Sequence, residues 1–142
     1  MAYVRMGENK RADESLKKAL KVAPHNAAAN FNMGLLKAEE NDPTQAETYF
    51  RRAFKADPQM AQAAYTVCII TSKDRISEAV SWCRKAMELR PQEPKYGYTL
   101  AFYLNQKGDR DEAVKTLKEI MEKHPGFKDA EILLQEISSG KQ

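Results

Sequence analysis

Apolar residues along this chain recur at helical spacing, and the recurrence itself repeats. Ala46, Phe50, Ala53 and Phe54 fall at i, i+4, i+7 and i+8. Ala12, Leu16, Ala19 and Leu20 follow the same pattern, as do Ala79, Cys83, Ala86 and Met87, and Ala113, Leu117, Ile120 and Met121. Each set is one apolar stripe on a helix of 3.6 residues per turn. The alanines let a neighbouring helix come close, and the larger residues fill the space beside them. Further amphipathic stretches precede three of these sets, at roughly 27–40, 60–72 and 93–106. No stretch has the alternation of a strand, so the pattern predicts an all-α chain.

Turn signals separate the paired helices. Asn41-Asp42-Pro43 puts a capping aspartate before a proline suited to the first helical turn, with Gln45 three residues beyond the aspartate. Gly108-Asp109 ends one helix and caps the next, and Gly7-Glu8 predicts the same break in the first unit. Boundary prolines stand at Pro24, Pro58, Pro91 and Pro125, at intervals of 34, 33 and 34 residues. The short interval predicts a one-residue loss in the turn Ser72-Lys73-Asp74. A period kept by several columns means one small unit, copied, which must stack on its neighbours to bury its apolar face.

The last segment, Lys128 to Ile137, reads as a capping helix. Ala130, Leu133, Leu134 and Ile137 lie inward, and Lys128, Asp129, Glu131 and Gln135 outward. The N-terminus is less regular. Only Ala2 to Met6 precede the Gly7 signal, so the first unit lacks nearly all of its first helix. That predicts a piece cut from a longer protein. The alternative is a natural chain whose exposed helix 8–22 packs on a partner or on a second copy.

Composition adds limits. Of 142 residues, 30% are charged and only 12 are Gly or Pro, as expected of an ordered helical chain. The net charge of +3 is modest, and the cations are spread over outward helix faces, which argues against nucleic acid as a partner. No apolar run nears the roughly 20 residues that span a bilayer. There is no signal-peptide pattern, and a cytoplasmic location is expected. Cys68 and Cys83 lie in apolar helical columns and are expected to be buried free thiols. His25 and His124 sit at helix ends beside prolines, where the helix dipole suits them. No metal-ligand spacing, phosphate-binding glycine loop or catalytic constellation appears, so neither a cofactor nor an enzyme activity is expected.

The residues also carry a resemblance. Asn30-Phe31-Asn32-Met33-Gly34 followed by Ala46, Phe50, Ala53 and Pro58 resembles a tetratricopeptide repeat (TPR). So does Tyr98-Thr99-Leu100-Ala101 followed by Gly108 to Ala113, Leu117 and Pro125. Departures are the short middle repeat, Gly97 in place of a large residue, and Lys37 in place of an aromatic. The resemblance implies a right-handed superhelical solenoid of antiparallel helix pairs, with about three and a half repeats and a cap. Its segments are 7–26 (second helix of a partial repeat), 27–59, 60–92, 93–126, the capping helix 127–138 and a tail 139–142, all one domain.

The resemblance further implies a concave groove, lined by first helices, that binds peptides or partner segments. The groove residues are then Phe31, Leu35, Gln62, Tyr65, Ile69, Lys95, Tyr98, Phe102 and Asn105. Leu35, Ile69 and Phe102 form the informative column, because the family often has a polar residue there. Docking of a chaperone C-terminus is not expected: Gln62 and Thr66, or Phe31 and Leu35, stand where the carboxylate clamp needs cations and Asn. The expected role is a protein-interaction module with an apolar groove. The alternative is a structural or oligomerisation segment of a larger protein, its groove filled in cis or by a second copy.

Overall fold

The structure, a computed structural model, describes residues 2–140, with side chains described from Gly7 onward. The helices are α1 Ala2–Val22, α2 Ala27–Glu39, α3 Pro43–Ala56, α4 Ala61–Thr71, α5 Ile76–Leu89, α6 Pro94–Lys107, α7 Arg110–Lys123 and α8 Lys128–Ser138. Among the described residues there is no strand. The chain divides into two compact units, 1–67 and 68–142, with the boundary inside α4.

In the first unit α2 and α3 pack as a pair and α1 lies against α2. The α2–α3 turn is built from the residues that announced it. Asn41 takes the left-handed conformation at φ 60°, and the Asp42 amide reaches back to the Lys37 carbonyl at 2.9 Å. That closes the last turn of α2 and satisfies carbonyls left over at its end. Asp42 then caps α3: its carboxylate accepts from the Gln45 amide at 3.1 Å and from Gln45 Nε2 at 2.6 Å. These bonds, the backbone one foremost, hold the Asp42 carboxyl below the usual carboxylate range. Ala46, Phe50 and Ala53 of α3 are buried, as the stripe requires.

The Gly7 break does not occur. α1 runs without interruption from Ala2 to Val22. Gly7 does not take the positive φ that Gly108 takes at its turn, so the helix continues through it. An isolated glycine costs a helix about 1 kcal/mol and does not end it. Lys37, in place of an aromatic, is ion-paired: its Nζ lies 3.3 Å from Asp13 of α1 and 3.3 Å from Glu40.

In the second unit α6 packs against α5 and α7, and α8 against α7 and α6. Gly108 at φ 101° repeats the Asn41 turn, with the Asp109 amide 2.8 Å from the Leu104 carbonyl. The α4–α5 connection lacks it. α4 stops at Thr71, and α5 starts after Arg75, which makes no side-chain capping bond. The residue lost from the short repeat is thus the left-handed one, and its turn is rebuilt on an Arg75 amide bond to the Thr71 carbonyl at 2.8 Å. The room beside Gly97 is filled in part, and a cleft of about 210 Å³ remains next to it, lined by Met87, Pro91, Thr116 and Ile120 among others. A Cβ there would meet Ile120 Cδ1 at 2.9 Å and Met87 Sδ at 3.2 Å, so long side chains from α7 and α5 occupy part of the room.

Cys68 and Cys83 are not free thiols: they form a disulfide, with Cα atoms 5.3 Å apart. The reason lies in the columns. One period from Gly34 is Cys68, and one from Phe50 is Cys83. Gly34 and Phe50 are in contact in their repeat. The equivalent positions of the next repeat therefore meet as well.

Candidate interaction surface

The residues of the informative column face outward. Leu35 is 45% exposed in the first unit, and Ile69 and Phe102 are 39% and 41% exposed in the second. Large apolar side chains left open at repeating positions are unusual on a helix that otherwise hides its apolar stripe. The spacing explains the placement. Each follows by one residue or one turn a buried position of the same helix, such as Gly34, Cys68 and Ala101, so packing of the stripe turns the next residue outward.

Within the second unit α6 supplies most of the candidates. Phe102 leans edge-on to Tyr103, with ring centres 5.6 Å apart. Tyr98 is half-buried and meets Phe127 edge-on at 5.9 Å. Burial pushes the Tyr98 hydroxyl pKa up, and the carboxylates of Asp129 and Glu136 add to the rise. Lys95 is exposed, its ammonium 5.8 Å from the centre of the Tyr96 ring. Asn105 is half-buried, and its Oδ1 is covered without a hydrogen-bond partner.

In the first unit Gln62 is exposed and Tyr65 half-buried. Phe31 is half-buried too, but its ring packs on Phe50 at 5.4 Å, so part of its surface belongs to the core. Leu35 lines a cleft of about 440 Å³ between α1 and α2, together with Ala12, Leu16, Asn32 and Leu36. Among the described residues, two exposed large apolar residues escaped the sequence reading: Val22, 88% exposed at the end of α1, and a residue of α8. Ile132 of α8, 52% exposed, stands one period after Tyr98 in the column Phe31, Tyr65, Tyr98. Extending that column by 34 residues would have found it.

Paired helices with the same columns buried in each copy define a helical-repeat protein. The tetratricopeptide repeat models of the family match residues 1–61 and residues 96–126, together more than half of the chain. The chain belongs to the tetratricopeptide repeat family. It is 29% identical over 115 residues to the protein O-mannosyl-transferase Tmtc1 of Drosophila melanogaster, matching 76% of this chain and 13% of Tmtc1. The chain thus spans about an eighth of that relative's length. Among solved structures, MamA superposes with a TM-score of 0.84 at 21% identity, over 96% of this chain and 80% of its own. YrrB, described as a TPR protein with an unusual peptide-binding site, superposes with a TM-score of 0.75 at 20% identity, over 94% of this chain and 69% of its own. The fold is accordingly all-α and of the TPR type.

Proposed function

We propose that these 142 residues act as one protein-recognition domain that captures a peptide or partner segment on the apolar faces of its first helices. The observation that carries the reading is the exposure of Ile69 and Phe102. Lys95, Tyr98 and Asn105 join them in the second unit, and Phe31, Leu35, Gln62 and Tyr65 are the corresponding positions of the first. Each such apolar side chain that a partner covers contributes roughly 1.5–3 kcal/mol before ordering losses. The peptide-binding site named for YrrB supports the class of ligand. The role is recognition rather than catalysis: the stretch shared with Tmtc1 is 13% of a protein named as a transferase. A cytoplasmic location fits this reading only if the Cys68–Cys83 bond is dispensable. No described helix is long and apolar enough to cross a membrane.

The test is capture of partners from an extract of the source cells by the wild-type chain and by the Ile69→Glu, Phe102→Glu double variant, with circular dichroism alongside. The variant is expected to lose capture and keep its helicity. Capture undiminished would sink the proposed surface, and lost helicity would return both residues to the core.

A second reading has its own observation. Ala12, Leu16 and Ala19 of α1 are partly or fully exposed, whereas Ala46, Phe50 and Ala53 in the same columns are buried. An open stripe of this kind suits a structural segment packed on further protein or on a second copy. Light scattering over a dilution series separates the two: dissociation on dilution would favour self-association, and a constant monomer would exclude it.

A further inference from the structure

We propose that the Cys68–Cys83 disulfide is a redox lock on the repeat 60–92: oxidised, it holds the end of α4 against α5, and a dithiol reductant releases that pair of helices.

The argument starts from what occupies the same two columns elsewhere. In the repeat before, Gly34 makes room for the Phe50 ring, whose atoms would lie 2.5 Å from an added Cβ. In the repeat after, Ala101 and Leu117 hold these positions, and both are fully buried. Each neighbour thus joins its helices through a small residue on the first and a large apolar one on the second. The middle repeat has two small side chains there. Without the bond, Cys83 stands where a phenyl or isobutyl group fills the space, and the contact is short of volume.

The middle repeat also differs from its neighbours in local structure. Its first helix has 11 residues against 13 in α2 and 14 in α6. It has also lost the left-handed turn residue that Asn41 and Gly108 supply in its neighbours. The covalent tie thus falls in the repeat with the shortest first helix and the altered turn.

Both cysteines are fully buried, so a reductant reaches the sulfurs only when the helix pair opens. The chemistry is exchange with a dithiol. One reductant thiolate attacks one Sγ, the S–S bond breaks, and the other cysteine leaves as a thiolate. The second reductant thiol then closes on the mixed disulfide and frees the first cysteine. Two electrons pass to the protein sulfurs, which take up two protons, and the reductant ends as a cyclic disulfide. Such a bond is formed and kept where thiols are not held reduced, which places the locked form outside a reducing cytoplasm.

The test is amide hydrogen exchange over residues 68–89, read by mass spectrometry. The chain is compared oxidised, and after reduction by dithiothreitol in denaturant and refolding with the reductant kept present. The mass of two added hydrogens and two alkylatable thiols verify the reduced form. Exchange in this segment is expected to rise roughly 100-fold on reduction. The Cys68→Ala, Cys83→Leu double variant, which copies Ala101 and Leu117, is expected to exchange as slowly as the oxidised chain, with or without dithiothreitol. Equal rates in oxidised and reduced wild type would overturn the lock, as would two free thiols in chain produced in an oxidising compartment. Failure of the reduced wild type to refold at all would also overturn it, since the bond would then be a condition of the whole fold and not a lock on one helix pair. If the double variant does not fold, the two wild-type forms decide alone.

Discussion

A methyl group added at Gly34 would lie 2.5 Å from Cδ1 and from Cε1 of Phe50. The ring is 2% exposed and has nowhere to move. Gly34→Ala is therefore expected to destabilise the chain by about 1–3 kcal/mol, despite alanine's better helix propensity, as read by urea denaturation. Gly97→Ala makes the contrast. Its nearest neighbour is the flexible end of Ile120, which shifts at little cost, and the gain of roughly 1 kcal/mol in propensity offsets the rest. That substitution should be near neutral in the same experiment. From sequence, Gly34 was visible as part of a repeat motif. Gly97 read as a weakness, because a missing large side chain says nothing about which long side chains grow into its place.

Two helices of the first unit are tied by charge. Asp13 of α1 lies 2.8 Å from Lys17 and 3.3 Å from Lys37 of α2. The hydrogen bond from Lys17, with those from Lys37 and its charge, lowers the Asp13 pKa against the opposing effect of burial. Burial likewise pulls the Lys37 ammonium down, but its bonds to Glu40 and Asp13 outweigh that and leave it raised. A carboxyl whose folded pKa is depressed adds stability above its unfolded value, about 3.9, and loses it as pH falls through the folded value. Asp13→Asn should thus lower the midpoint of thermal unfolding at pH 7, and the gap to wild type should close in acid below the usual carboxyl range. α1 itself shows how turn signals mislead. Asn41 and Gly108 mark turns because their backbones are left-handed. Gly7 is likewise followed by an acidic residue, Glu8, but stays helical, and a glycine does not declare its own φ.

Across the molecule, the buried columns were legible because i, i+3 and i+4 spacing follows from helix geometry, whatever the helices pack against. The column Leu35, Ile69 and Phe102 came from the resemblance to the repeat family, and all three side chains are exposed. The disulfide was not read, because 15 residues and a turn separate its cysteines and each looked like a small apolar residue. The signal was there: aligning Cys68 with Gly34 and Cys83 with Phe50 puts both at one contact. The tie has a mechanical consequence. If the chain is drawn out from its two ends, the stretch between the cysteines cannot extend, since its Cα atoms stay 5.3 Å apart. Freely extended, 15 residues span roughly 50 Å at 3.3–3.6 Å each. Single-molecule stretching should therefore give a contour length about 45 Å shorter for the oxidised chain than for the reduced one. Under load, the middle repeat of the oxidised chain gives up less length than its neighbours.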